Sequence, residues 1–109
     1  MSKKIEFDYE NQHYTLEYNR QAIVLMEQNG FIAEEYVKKP MTMIGLAFRF
    51  AFYKNHPKIT QEQIDKIFDI FPNKQELNTA LISMIGECYD SLIAGDPEKE
   101  SKNIEWKIV

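Results

Sequence analysis

Cysteine and histidine, the side chains that most often carry out chemistry, are few and isolated in this sequence. Cys88 is the single cysteine, and His13 and His56 are the two histidines. A nucleophilic cysteine needs a nearby base, and a zinc site needs several ligands at close spacing. Neither arrangement surrounds Cys88, so we interpret it as a small buried hydrophobe on a helix. We expect both histidines to be ordinary surface residues, and we predict no catalytic and no metal site.

The acidic residues also lack the spacing of a ligand site. Glu34 and Glu35 are adjacent, while Glu62, Asp65 and Asp69 recur at helical intervals. A calcium loop needs alternating oxygen ligands around a central glycine, and a phosphate loop needs clustered glycines. The four glycines are dispersed. We therefore expect these acids to cover solvated helix faces, and we predict no cofactor.

The charge balance excludes further classes of function. The chain has 13 basic and 17 acidic side chains, and its net charge is -4. Nucleic-acid binding needs clustered Lys and Arg to neutralise phosphates. Arg20 and Arg49 are the only arginines and the lysines are scattered, so we expect no nucleic-acid partner.

The sequence has no pattern typical of a signal peptide or of a membrane span. A lone cysteine is typical of a reducing compartment. The basic start of the sequence is not followed by the apolar core of a signal peptide. The longest apolar stretch, residues 41–53, is shorter than the roughly 20 residues of a membrane span. We expect a cytoplasmic protein with no membrane partner.

The elements that would position any site begin with a predicted β-hairpin. Its two segments alternate apolar and polar side chains, which is the pattern of half-buried strands. One face carries Ile5, Phe7, Tyr9, Tyr14, Leu16 and Tyr18. Residues 10–12 are polar and form the predicted loop. Because an isolated hairpin is marginal in water, this aromatic face needs a helical cover.

Helical patterns follow the hairpin. Asn19 is a suitable N-cap for a helix over residues 20–29, which Gly30 would end. Residues 31–39 fit a second short helix that Pro40 would close. Residues 41–55 are apolar nearly all round, so they predict a buried central helix that covers the hairpin, with Gly45 allowing a close backbone approach.

Two further helices are predicted from their start signals. Thr60 and Gln63 have the spacing of a capping box, and the helix that they begin would stop at Phe71 and Pro72. Asn73 and Glu76 repeat the capping spacing before the longest helix, residues 74–94. One apolar stripe of that helix contains Leu77, Leu81, Met84, Ile85, Cys88, Tyr89 and Leu92.

The C-terminal end differs in composition from the rest. Residues 97–103 are charged and polar and indicate a linker, whereas residues 104–109 alternate again. This terminal segment is expected to add a third strand to the hairpin, or to pair with another subunit or a partner. We predict an α+β fold, with an N-terminal β-hairpin on a bundle of about four to five helices and a possible short C-terminal strand. Residues 1–96 would form the single domain, and residues 97–109 the linker and tail.

Protein binding remains when the other classes are excluded. Tyr, Trp and Phe are enriched at interfaces, and this chain has 14 of them (Phe 7, Tyr 6, Trp 1). Our candidate partner-binding residues are Ile104 and Trp106 in the tail, and Phe48 and Phe52 on the central helix. The alternative for the central helix is that its Met and aromatic side chains are simply core.

The order of these elements resembles the tail assembly chaperones of long-tailed bacteriophages, especially those of phages that infect Gram-positive bacteria. The resemblance spans nearly the whole chain. It is carried by the hairpin leading into residues 16–20, the helix end at residues 27–31, the segment 39–43, Asn55 and His56, and the terminal segment 103–109. These are patterns and not catalytic motifs.

The resemblance implies a non-enzymatic role in the host cytoplasm. Such chaperones coat the aggregation-prone tape measure protein during tail assembly and give way to tail tube subunits. The implied partners are the tape measure protein, the tail tube protein and further copies of the chain. Two alternatives stay open: a structural tail component, tube or connector, retained in the virion, and a small regulatory protein-binding adaptor.

Overall fold

The computed structural model describes residues 3–94 and 104–109 and has the predicted α+β architecture. The elements in chain order are β1 (Ile5–Tyr9), β2 (Gln12–Leu16), α1 (Arg20–Gln28), a 3-10 turn (Ala33–Tyr36), α2 (Pro40–Ala51), α3 (Gln61–Ile70) and α4 (Lys74–Ala94). An N-terminal antiparallel hairpin therefore precedes four α-helices, as expected.

The hairpin is tighter than predicted. Tyr9 pairs with Gln12, so the loop consists of Glu10 and Asn11, and Gln12 belongs to β2. Both loop residues have positive φ, 49° and 65°, which is the conformation of a type I′ turn. This turn matches the right-handed twist of the strands, and it explains why two residues suffice where three were predicted.

The apolar face of the hairpin lies on α2, as predicted. Leu16 and Tyr14 are buried, and Phe7 is half-buried beside them. The Phe52 ring directly after α2 makes edge contacts with Phe7 at 6.4 Å and with Tyr14 at 6.0 Å. Tyr18 donates a 2.6 Å hydrogen bond to the backbone oxygen of Ala47 within α2. The hairpin is thereby stabilised by a helix and not by further strands.

The segment between α1 and α2 differs from the prediction. Residues 31–39 contain only one 3-10 turn, and Pro40 begins α2 instead of ending the preceding helix. A proline at the first helical position loses no intrahelical hydrogen bond. Phe31 is buried and makes an edge contact with Tyr36 at 6.2 Å. This packing holds the segment without a regular helix.

The predicted N-terminal caps of α1 and α3 are present in the structure, whereas the predicted cap of α4 is not. Asn19 accepts a hydrogen bond from the Ala22 amide, and Thr60 with Gln63 forms a complete capping box at α3. Asn73 does not cap α4, because it has φ 53° and an N-cap residue is normally extended. Among the described residues, its side chain and that of Glu76 make no capping hydrogen bond. The bounds of α4 are nonetheless those predicted.

The tail does not form a third strand within the chain. The sheet of the described residues has two strands, and residues 104–109 are irregular. Ile104 is 70% exposed and Trp106 is 80% exposed, so the intramolecular pairing that we considered is wrong for this structure. The predicted linker, residues 97–103, and the domain boundary at residue 96 lie outside the described residues.

Candidate functional site

A shallow groove runs between α2 and α3. It has a volume of about 310 Å³, and its apolar floor contains the partly exposed Phe68 and the almost fully buried Phe48 and Ile64. Met41 stands at one end and is 72% exposed, and Arg49 stands at the other end. An exposed methionine beside an apolar floor is adaptable to varied apolar partners. We call this feature the α2–α3 groove.

Gly45 lies in the middle of the α2–α3 groove. It is exposed, and a Cβ atom built there would meet no atom within 4 Å. The predicted close approach of another part of this chain to Gly45 is therefore wrong. The glycine instead leaves an open place where the backbone or side chain of a second molecule can approach α2.

The two central phenylalanines are buried, whereas a partner contact needs an exposed side chain. Phe48 is 1% exposed and Phe52 is 0% exposed. Phe52 is enclosed by the hairpin rings, and its assignment as a partner contact is wrong. Phe48 contacts Phe52 and Phe68 at 5.1 and 5.2 Å, so it supports the groove floor and offers almost no surface of its own. The core alternative is correct for both side chains.

The outer edge of β2 is closed at its C-terminal end by the segment that follows α2. The Thr15 amide donates to His56 Nε2 at 3.0 Å, and Asn55 donates to the Thr15 carbonyl at 3.2 Å. One residue beyond β2, the Glu17 amide donates to the Ala51 carbonyl at 3.0 Å. His56 is thus a structural residue that completes the sheet, and our assignment of it as an ordinary surface residue is wrong.

A buried carboxylate reinforces this closure. Glu17 is 3% exposed and accepts a 2.9 Å hydrogen bond from Asn55. Its second oxygen lies 3.1 Å from Lys54 Nζ in an ion pair whose angle does not suit a hydrogen bond. Desolvation alone would raise the pKa of Glu17, but the Asn55 bond and the Lys54 charge outweigh it, and the pKa is lowered.

The outer edge of β1 is open. Thr15 directs its amide and carbonyl away from β1, so its partner Glu6 occupies a non-hydrogen-bonded position and directs its own backbone groups outward. Asp8 has the same orientation two residues later. Within the described residues, no strand or loop pairs with these groups. Such an edge can accept an added strand.

A second groove adjoins the N-terminal end of this open edge. It lies between β1 and α4, has a volume of about 620 Å³, and is lined in part by Ile5, Ala80 and Met84. Lys3 ties the two elements together through a 2.9 Å hydrogen bond to Ser83 and an ion pair with Glu87 at 3.6 Å. We call this feature the β1–α4 groove.

The solvent face of the hairpin contains a small charged cluster. His13 contacts Asp8 at 2.7 Å and Glu6 at 3.3 Å. These hydrogen bonds raise the pKa of His13, whereas burial lowers the pKa of His56. His13 is exposed, as predicted, and its two carboxylate partners lie along the open edge.

The structure locates Cys88 on the half-buried side of α4.

Within residues 3–94 and 104–109, no group of three or more His, Cys, Asp or Glu side chains could hold a metal ion. Over the same residues, no helix has both the length and the apolar content needed to cross a membrane.

The sequence indicated a hairpin edge open to a further strand, but it did not show which edge is open, how the other edge is closed, or the two grooves. The one available signal was the Asn-His pair directly after the apolar helix, since both side chains can reach a nearby backbone. Which strand edge they meet depends on how α2 crosses the hairpin. That crossing is a tertiary property with no local pattern.

These features define a small α+β protein with one groove that has an apolar floor, a second groove of mixed lining, and an open β1 edge. The family model for the domain of unknown function DUF5055 matches residues 1–109, so the chain belongs to this family. No curated protein and no solved structure matches the chain.

Proposed function

We propose that this protein is a non-enzymatic tail assembly chaperone of a long-tailed phage. It binds the tape measure protein in the host cytoplasm, keeps that protein soluble and helps to recruit tail tube subunits. The proposal combines the resemblance of the sequence with one structural observation, the α2–α3 groove. Its floor is apolar, its rim carries an exposed methionine, and it is open above Gly45.

The groove suits an amphipathic helix as its occupant. Helix-in-groove recognition places apolar side chains at spacings of three and four residues into an apolar channel. A tape measure protein is long and helical, so it offers many such positions to many copies of a chaperone. Each contact with a small groove is weak, which allows tail tube subunits to displace the copies one after another.

Co-expression tests the proposal. The chain would be expressed with the tape measure protein of the same phage, and the soluble fraction would be compared with that of the tape measure protein alone. We expect the tape measure protein to become soluble and to co-purify with the chain. The proposal fails if the tape measure protein stays insoluble and the two proteins do not co-purify.

The second candidate is a structural tail component. The open β1 edge and the exposed tail favour it, because a subunit that remains in a polymer needs surfaces for its neighbours. Mass spectrometry of purified virions separates the two functions: a chaperone is absent from mature particles, whereas a tube or connector subunit is present in many copies.

The regulatory adaptor remains the third candidate from the sequence. No contact, groove or charged surface of the described residues favours it over the other two.

A further inference from the structure

We propose that residues 104–109 of one copy add to the open β1 edge of a second copy as a parallel strand. This inference goes beyond the proposed function and stands whether or not a tape measure protein is the partner. It rests on the shape of the edge, on the residues of the tail, and on the match between their charges.

The acceptor is specific because the β2 edge is occupied beside Thr15, whereas no described residue pairs with the β1 edge. His56 and Asn55 occupy the outward backbone groups of Thr15 on β2. Glu6 and Asp8 on β1 retain outward groups that no described residue pairs. Within the described part of the chain, His13 on β2 also keeps unpaired outward groups, but Asn55 and His56 stand beside Thr15 and block a longer strand there. A strand that spans the hairpin can therefore be added only on the β1 side.

The donor segment, residues 104–109, has the composition of a strand but is not part of the sheet of its own chain. Ile104, Trp106 and Ile108 alternate with Glu105 and Lys107. Their exposed fractions are 70% for Ile104, 80% for Trp106 and 91% for Ile108. Three large apolar side chains at period two fit one face of an added strand.

Charge complementarity selects the direction and register of the added strand. In a parallel arrangement, Glu105 lies beside Lys4 and Lys107 lies beside Glu6, so both lateral pairs are of opposite charge. Antiparallel registers that bring Lys107 to Glu6 or Asp8 also bring Glu105 to another acid, Asp8 or Glu10. Like charges in lateral contact destabilise strand pairing.

The same register places the apolar side chains correctly. Trp106 lies beside Ile5 and Ile108 lies beside Phe7, on the face of β1 that turns toward the core. At Ile5 this face opens into the β1–α4 groove, where Ala80 and Met84 are apolar lining residues. The indole would enter this groove, which has a volume of about 620 Å³.

An exchange of this kind is heterologous, since the tail and the edge are different surfaces. Unless two copies exchange tails reciprocally and close as a dimer, a free tail and a free edge remain, and the association continues into larger rings or open chains. The copy number therefore grows with protein concentration, as in a coat of many weakly bound subunits.

Two single-site variants test the acceptor and the donor separately. Glu6→Pro removes the outward amide of the open edge, and Trp106→Ala removes the anchor from the tail. We expect sedimentation velocity to show concentration-dependent oligomers for the wild type and monomers for each variant alone. A mixture of the two variants should form 1:1 heterodimers and nothing larger, because only one productive interface remains.

A charge exchange keeps the test valid if Glu6→Pro does not fold. Lys107→Glu should weaken association about fivefold, and adding Glu6→Lys to the same chain should restore it. Lys58→Glu changes the net charge equally at an exposed lysine outside the edge and the tail, and it should have no effect.

Trp106 also reports its own environment, because it is the only tryptophan. We expect its emission to shift to shorter wavelength as the protein concentration and the oligomer mass rise together. A monomer with solvent-exposed Trp106 at all concentrations would overturn the inference. A monomer with buried Trp106 would also overturn the inference, because it indicates pairing within one chain. So would oligomers whose mass is the same in the wild type and in the edge and tail variants.

Discussion

At the scale of single residues, His56 shows how one side chain can close a sheet edge. Its neutral ring accepts the Thr15 amide and packs against Tyr14 at 5.1 Å and Phe52 at 6.3 Å. Replacing it with alanine removes these ring contacts and leaves the amide without its acceptor. We expect His56→Ala to lower the free energy of unfolding by about 1–3 kcal/mol in chemical denaturation.

The pH dependence of stability follows from the same bond. Burial lowers the pKa of His56 below its ordinary value of 6.5, so the unfolded chain binds the proton more readily. The stabilisation by neutral His56 is present above pH 6.5 and is lost as the pH falls through the lower pKa of the folded state. The expected result is a decline in unfolding free energy below about pH 6.5 that His56→Ala lacks.

His13 makes the opposite contribution and must be controlled. The hydrogen bonds that protonated His13 donates to Asp8 and to Glu6 raise its pKa, so its stabilisation is present below pH 6.5 and is lost as the pH rises through the raised value. The comparison should therefore be made in a His13→Gln background. An identical pH profile with and without His56 in that background would contradict the structural role of the His56 ring.

Gly45 and Gly86 are matched helical glycines with open space around them. Both are exposed, on α2 and α4, and a Cβ atom at either one would meet no atom within 4 Å. We expect Gly45→Ala and Gly86→Ala each to raise the free energy of unfolding by about 1 kcal/mol, because alanine loses less backbone entropy in a helix. Thermal or urea unfolding measures this, and a loss of stability at Gly45 alone would show a hidden steric contact.

At the scale of elements, the hairpin turn contains a strained backbone conformation that a substitution can relieve. Glu10 has φ 49°, a conformation that costs a residue with a bulky side chain more than it costs Asn or Gly. Replacing Glu10-Asn11 with Asn-Gly, the preferred type I′ pair, should stabilise the fold by roughly 0.5–1 kcal/mol. A melting temperature that does not rise in the double variant would contradict the turn assignment.

The elements that could be predicted from sequence are those with local causes. Strand alternation, the Asn19 cap and the Thr60–Gln63 capping box each act within a few residues, and the structure contains all of them. Pro40 was misassigned because proline both ends and begins helices, and only the packing of Phe31 and Tyr36 decides between the two here. Local signals were sufficient for most of the secondary structure, but they were ambiguous at this junction and misleading at the Asn73 cap and the hairpin loop.

The candidate site was less accessible to sequence reasoning because it depends on how elements cross. Phe48 and Phe52 are as apolar as any interface residue, and only the position of the hairpin and α3 shows that they are core. The β2 edge is closed and the β1 edge is open because the segment after α2 lies on one side of the hairpin. Pattern and composition contain no information about that side.

At the scale of the whole molecule, the protein separates two kinds of surface. The α2–α3 groove is proposed to bind the tape measure protein, while the β1 edge and the tail are proposed to join copies to one another. Disrupting the edge should therefore leave binding to a short tape measure segment intact but abolish its continuous coating. Disrupting the groove should abolish binding to the tape measure segment but leave the association between copies of the chain intact.

The most direct test of the proposed function uses the matched glycines in the co-purification experiment. Gly45→Gln places a side chain over the α2–α3 groove, whereas Gly86→Gln places the same side chain on α4 away from it. Both variants should fold, since glutamine is a good helix former. We predict that the wild type and Gly86→Gln retain the tape measure protein and that Gly45→Gln retains at least about tenfold less, as for a blocked hot spot. Equal retention by both glutamine variants would contradict the account.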